Sequence, residues 1–230
     1  MSSDEQTEII IKSHLPALKK ALEEDEISLD QLDAFTETGV FSVEQTEKIM
    51  NAAVEIGLNQ SLNIHVEELS CLGGAEMVAR LKNGRAASHL EEVSDEGIKA
   101  MAENNIAAVL LPTTALQLKL KPPPTRKMID AGCIVALATD FNPNAHCLSM
   151  PLVLYFGCTL YSLTMDEALV GATINSAYAL GKSEILGSLE IGKQADFLVL
   201  DATSWEHVIY QVGSGGDVIQ NVFVKGDKMK

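Results

Sequence analysis

Hydrophobic and polar positions change period repeatedly along the chain, and the changes divide it into elements. From about Glu5 to Glu24 the apolar residues Ile9, Ile10, Leu15, Leu18, Ala21 and Leu22 recur at helical spacing, with Pro16 inside the run as an expected break or kink. Strands are expected over 29–36, 61–65 and 85–89, and helices over 43–56, 73–81 and 94–103. Ser94 is a fitting N-cap for the last of these, with Asp95 and Glu96 in its first turn. The continuous apolar runs IAAVLL at 106–111 and CIVALAT at 133–139 read as strands buried on both faces. Between them the prolines at 122–124 make a rigid loop before a helix over 125–131, which Gly132 closes. Helices are expected over 149–161 and 165–180. Beyond Gly187 the pattern shortens to strands over 197–200, 208–210 and 218–224, separated by turns such as Gly213-Ser214-Gly215-Gly216.

Strands that alternate with helices imply parallel βαβ units. Five such strands can be counted, near Leu29, Ser61, Arg85, Ile106 and Cys133. A closed (β/α)8 barrel needs about eight.

Composition narrows the class. The chain has 230 residues, 47% apolar and 21% charged, which is globular and excludes a disordered tail, a collagen-like chain or a disulfide-stapled mini-protein. Its net charge of −15 argues against nucleic acid as a partner. No apolar run approaches the roughly 20 residues of a membrane span. The start, MSSDEQTEII, is acidic and has no apolar core, so it does not read as a signal peptide. Cys71, Cys133, Cys147 and Cys158 form no C-x-x-C pair and read as reduced residues of a cytoplasmic protein. Neither a P-loop, a G-x-G-x-x-G nor a G-x-S-x-G occurs, so phosphate transfer, dinucleotide binding and serine hydrolysis lack a motif.

Three strand ends carry candidate chemistry: Ile64-His65-Val66-Glu67-Glu68, Ser88-His89-Leu90-Glu91-Glu92 and Ala138-Thr139-Asp140-Phe141-Asn142-Pro143-Asn144. The carboxyl ends of parallel strands converge on one face, where sites are built. Two imidazoles and a carboxylate from separate strands are suited to zinc or a similar transition metal. A single histidine is more often a satisfied core or surface residue, and it is the coincidence of three strand ends that favours ligation. His14 reads as a surface residue on a helix, His146 as a loop residue that is as easily bystander as cleft lining, and His207 as structural. Glu68, just past a strand end, can serve substrate binding and proton transfer or simply face solvent. Glu91 and Glu92 read as bland positions before a helix. Asn142 and Asn144 can grip a carboxylate or amide, or merely form a turn.

At these residues the chain resembles the amidohydrolase superfamily and, within it, the imidazolonepropionase family. The stretches that carry the resemblance are Ile64 to Leu69, Ser88 to Gly97, Leu111-Pro112-Thr113-Thr114-Ala115, Thr139 to Asn144, Ala172 to Gly181, Gly187 to Asp196 and Trp205 to Gln211. It implies a partial (β/α)8 TIM-type barrel over residues 1–186, about strands four to eight, then short C-terminal β-strands of a composite β-sandwich over 187–230. It implies a small-molecule substrate, 4-imidazolone-5-propanoate, opened to N-formimino-L-glutamate in histidine breakdown, with one zinc or iron ion. His65 and Asp140 would be metal ligands, and Asp140 would also take a proton from the attacking water. Glu68 would hold the ring and move protons, His89 would polarise its carbonyl, and Asn142 and Asn144 would lie near the substrate's carboxylate arm. Neither a nucleic acid nor a membrane partner is implied, and since the family tends towards dimers a homodimer is.

The family's remaining metal ligands come from a His-x-His pair at the first barrel strand, and no His-x-His occurs in this sequence. Its Arg, Tyr and His substrate contacts also lie upstream of the matching region. Thr36 stands where the family usually has cysteine, and Ala145 where some members have a hydroxyl. The chain therefore resembles the C-terminal half of such an enzyme. The expectations that compete with a hydrolase poorly active by itself are an inactive fragment that binds a full-length subunit, and another cyclic amidase of the superfamily.

Overall fold

The computed structural model describes residues 2–214 and 218–230. Ser2 opens the first helix with a capping box: its Oγ accepts from the Glu5 amide at 3.2 Å and the Glu5 carboxylate accepts from the Ser2 amide at 2.8 Å. α1 (Ser3–Ile9) continues through a π-helical segment, Ile10–His14, into α2 (Leu15–Glu23). Pro16 is interior to this continuous helix, and the wider π-helical turn before it makes room for the ring.

The strand expected over 29–36 is two short pieces, β1 (Gln31–Leu32) and β2 (Phe35–Thr36), and both pair with β3 (Ser61–Val66). α3 (Val43–Glu55), capped by Ser42 and Gln45, lies between β2 and β3 in sequence. α4 (Gly74–Arg80), β4 (Gly84–His89) and α5 (Asp95–Glu103) follow, and the Ser94 hydroxyl accepts from the Gly97 amide at 2.8 Å as the capping pattern predicts. After β5 (Ala107–Leu110) a helix that the pattern does not announce, α6 (Pro112–Leu118), starts on Pro112. α7 (Thr125–Asp130) ends at Gly132, whose φ is +89°. Then come β6 (Ile134–Leu137) and α8 (Met150–Leu160).

The single helix expected over 165–180 is broken at Thr173 into α9 (Met165–Ala172) and α10 (Ile174–Ala179). The break turns two side chains onto the open edge of β6. The Asn175 amide donates to the Val135 carbonyl at 2.8 Å, and the Ser176 hydroxyl donates to the Leu137 carbonyl at 3.1 Å. Edge carbonyls that would otherwise invite another strand are thereby satisfied. β7 (Phe197–Leu200) is followed by α11 (His207–Tyr210), where a strand was expected over 208–210. Burial of Ile209 with Trp205 and Val208 packed on the core outweighs the β preference of Val-Ile-Tyr. β8 (Ile219–Val224) and β9 (Asp227–Lys228) form a hairpin through Lys225 and Gly226, both at positive φ. Gly215 and Gly216 of the expected glycine turn lie outside the described residues.

The larger sheet is parallel throughout, in the order β1/β2, β3, β4, β5, β6, so its carboxyl ends share one side. The smaller sheet, β7-β8-β9, is antiparallel. Leu62, Ile64, Val66, Ala87, Ala108, Leu110 and Leu137 pack beneath the helices in one cluster, while Ala86, Ala107, Val109 and Ala136 form a second with Ala179. Burial on both faces accounts for the unbroken apolar runs of β5 and β6. Among the described residues no helix is long and apolar enough to cross a membrane.

Candidate metal and catalytic centre

Three chain segments, after β3, β4 and β6, leave the sheet through left-handed backbone. Glu67, just past β3, has φ +57°; His89 ends β4 at +80° and Leu90 follows at +72°; Asp140, past β6, has +51°. Such angles strain L-residues, a bulky leucine most of all. They are held by the surroundings: Leu90 is fully buried, its amide donates to the Val66 carbonyl at 3.3 Å, and the Glu92 amide donates to the Glu67 carbonyl at 2.8 Å. His65, from within β3, and His89 and Asp140, at such turns, converge on one point.

Each of the three offers a ligand atom, and these atoms all lie within 4.8 Å of one another. His65 Nε2 is 4.0 Å from Asp140 Oδ1, and the His65 and His89 rings are 5.3 Å apart. On its other side, His65 Nδ1 is 2.9 Å from Asp33 Oδ1. Asp140 Oδ2 accepts from the Thr114 hydroxyl at 2.6 Å. Glu68 Oε2 lies 3.7 Å from His89 Nε2. Behind His89, its Nδ1 is 3.9 Å from Glu91 Oε2; both side chains are buried, and neither Nδ1 nor the Glu91 oxygens find a hydrogen-bond partner.

Electrostatics follow from this crowding. Burial alone would push the His65 imidazole down, but the bond to Asp33 and the charges of Asp33, Asp140 and Glu68 prevail and raise it. Burial, reinforced by His65, holds His89 at about 4. Burial pushes Glu68 up, with Asp140 and Glu37 adding to it, and pushes Glu91 up to about 8. Glu67 is raised to about 7 by burial and by Glu76, while its Oε1 accepts from the Gly73 and Gly74 amides at 3.0 and 3.2 Å. Glu67 is thus a brace for the loop into α4.

A cleft of about 470 Å³ opens over this group. His65, Glu68, His89, Asp140, Asn142 and Asn144 all line it, together with Asp33, Phe35, Thr114 and Gln117, which the sequence reading did not single out. Asn142 is occupied in shaping its own loop: its amide donates to the Asp140 carbonyl at 2.8 Å, and its oxygen accepts from the Asn144 and Ala145 amides at 2.8 and 3.1 Å. His146 stands off the cleft lining, with its ring edge-on to Phe141 at 4.9 Å. His207 pairs with Gln211. Glu92 meets the expectation of a bland surface residue, in an ion pair with Lys121, but Glu91 does not: the turn at His89 and Leu90 swings it inward. Asp33 and Thr114 escape sequence reading because their partners lie 32 and 26 residues away.

The donor set fits a transition metal. Two imidazoles and a carboxylate converge among further buried carboxylates, and among the described residues the lining includes no lysine or arginine.

Glu37, on the loop after β2, is buried beside this group. Burial works to raise its carboxyl, but amide donors on Leu69 at 2.9 Å, Thr38 at 2.8 Å and Ser70 at 3.3 Å outweigh it, and the group sits below its ordinary range. A depressed folded-state value stabilises the fold above the unfolded value, about 4.3, and that stability drains away as pH falls through the folded value. Urea midpoints of the native chain and Glu37→Gln should therefore differ at neutral pH and converge as pH drops below about 4.

The family model described as the amidohydrolase family matches residues 31–229. The chain is 52% identical over 217 residues to a probable imidazolonepropionase of Nematostella vectensis, covering 94% of this chain and 50% of that protein. It is 51% identical over 225 residues to that of Xenopus tropicalis, covering 98% and 51%, and 49% identical over 225 residues to that of Homo sapiens, covering 98% and 52%. The chain thus spans about half the length of the curated relatives it matches. Among solved structures, Escherichia coli guanine deaminase superposes with a TM-score of 0.75 at 17% identity, covering 96% of this chain and 59% of that one. An adenosine deaminase from Xanthomonas campestris with bound zinc superposes with a TM-score of 0.69 at 21% identity, covering 85% and 50%. At these identities the likeness is one of fold.

Proposed function

The chain belongs to the amidohydrolase family, and from that premise we propose that it carries much of the catalytic centre of an imidazolonepropionase-type hydrolase, which opens 4-imidazolone-5-propanoate to N-formimino-L-glutamate. The observation that carries this reading is the convergence of His65, His89, Asp140 and Glu68 on one cleft, in a chain about half identical to proteins of that name. We read the five strand positions as about the fourth to eighth of a (β/α)8 barrel within residues 1–186, and residues 187–230 as part of a composite β-sandwich. The four free cysteines suit a reducing compartment such as the cytoplasm.

His65 and Asp140 would hold one zinc or iron ion, and His89 would stand beside it as a catalytic donor and not as a ligand. When bound, that ion supplies Lewis-acid polarisation of the ring carbonyl and of water. The Asp140 carboxylate accepts a proton from the attacking water, whose oxygen bonds to the ring carbonyl carbon. His89, neutral because it is buried, turns Nε2 towards Glu68 and the cleft and steadies the developing oxyanion as a neutral donor. Glu68, raised by burial and by Asp140, carries a proton to the ring nitrogen as the C–N bond breaks. Asn142 keeps the Asp140 loop in shape, and Asn144 lies at the cleft wall where the carboxylate arm would rest.

One observation favours a second reading, in which the chain acts bound to a full-length subunit. Among the described residues the cleft lining has carboxylates but no cationic side chain to receive a propionate. Loss of imidazolone and appearance of formiminoglutamate should be followed for the purified chain alone and mixed with a full-length relative. Turnover that falls at least about 100-fold in Glu68→Gln supports the hydrolase reading. Co-elution with the full-length enzyme, without turnover by the chain alone, supports the second. Neither turnover nor co-elution overturns both.

A further inference from the structure

β1 and β2 run in one register along β3, with Gln31 opposite Ser61 and Phe35 opposite His65. Asp33 falls in the gap between them, two residues before Phe35 and therefore on the same side of the edge strand, and both residues line the cleft. The gap is anchored: the Ala34 carbonyl accepts from the His65 amide at 3.0 Å, which fixes Asp33 one step from the histidine it faces. Its Oδ1 stands 2.9 Å from His65 Nδ1, while His65 Nε2 points the other way, 4.0 Å from Asp140 Oδ1.

A neutral imidazole has one N–H and one bare nitrogen, and what its second nitrogen meets decides which is which. A carboxylate can only accept. We propose that Asp33 is a positioning residue: by keeping the proton of His65 on Nδ1 it presents the bare Nε2 to the cluster formed with His89 and Asp140. His89 has no such support, since its Nδ1 lies 3.9 Å from Glu91 without a hydrogen bond. Of the two imidazoles, His65 is thus the one whose tautomer is fixed in advance. Sequence reading does not find this residue, because Asp33 sits in a broken edge strand 32 positions from its partner.

This inference rests on the metal-site reading, and its test separates the two. Proton–nitrogen correlation spectra of isotope-labelled histidine are recorded on the metal-free chain at about pH 9, above the usual imidazole range. Zinc affinity is measured by competition with a chelating dye. Both are applied to the native chain, Asp33→Ala and Asp33→Asn. The native His65 is expected to carry its proton on Nδ1. In Asp33→Ala the proton should move to Nε2 and zinc binding should weaken about 10–100-fold. Asp33→Asn, whose amide oxygen still accepts from Nδ1–H, should keep the native tautomer and lose less affinity. A native His65 protonated on Nε2, or a tautomer unchanged in Asp33→Ala, overturns the positioning role. The expected tautomer response in a chain that binds no zinc refutes the metal site and leaves the positioning role standing.

Discussion

Asp140→Asn should weaken zinc binding by more than about 100-fold while leaving the metal-free chain within about 1 kcal/mol of native stability. The substitution is chosen because the backbone tolerates it. Asp140 sits at φ +51°, a conformation that asparagine adopts almost as readily as aspartate. An amide oxygen can still accept from the Thr114 hydroxyl, which now reaches Asp140 Oδ2 at 2.6 Å. What disappears is the negative charge. Asp140 pushes the carboxyls of Glu68 and Glu91 upward, so its neutralisation relieves repulsion in a crowded acidic site, and this offsets the favourable attraction to His65 that is lost. A ligand to a cation, by contrast, has no substitute for its charge, and outer-shell partners alone are worth about 10–100-fold in affinity. Zinc titration of both chains, with thermal melts in chelator, reads the two effects separately. Unchanged zinc affinity would remove Asp140 from the ligand set. A collapse of metal-free stability would make its charge structural.

The largest effect on stability is expected at Gly84, where β4 begins. A Cβ there would stand 2.0 Å from the Val78 carbonyl oxygen, 3.1 Å from its carbon and 3.3 Å from the Leu81 oxygen. These are backbone atoms at the end of α4, and no rotamer change can move them. Gly84 is also pinned on both sides, by its amide's bond to the Leu81 carbonyl at 3.0 Å and by its place opposite Leu62 in β3. Gly84→Ala must therefore displace the start of β4 or the end of α4, at a cost of about 3 kcal/mol or more. For a chain of this size that is a fall in melting temperature of about 6–12 °C. Since β4 pairs with β3, which carries His65 opposite Ser88, zinc affinity should fall with it. Gly132→Ala is the control: its φ of +89° strains an alanine, but nothing lies within 4 Å, so about 1–2 kcal/mol is expected. Equal melting temperatures for the two variants would contradict the steric account of Gly84.

The alternation of strands and helices was legible along the chain, and with it the side of the sheet on which His65, His89 and Asp140 emerge. Parallel connections leave no freedom there, because each crossover returns the next strand in the same direction. The break at Thr173 was not legible. The run over 165–180 has a helix's periodicity, and only the open carbonyls of β6 give Asn175 and Ser176 a reason to leave it. Nor was α11, whose residues favour strand locally but bury Ile209 as a helix.

Glu91 marks the boundary between the two kinds of information most clearly. Its neighbours Glu67, Glu68 and Glu92 are the same residue type beside similar strand ends, yet one braces a loop, one lines the cleft, one pairs with Lys121 and Glu91 is buried against His89. Sequence by itself determined which residue types reach the carboxyl ends of the parallel strands, since strand period and chain direction are local properties. Only the tertiary structure decided which nitrogen of His65 is held, which glutamate is buried and which threonine braces Asp140. Those outcomes depend on contacts between segments far apart in the chain and on backbone angles that burial, not local preference, maintains.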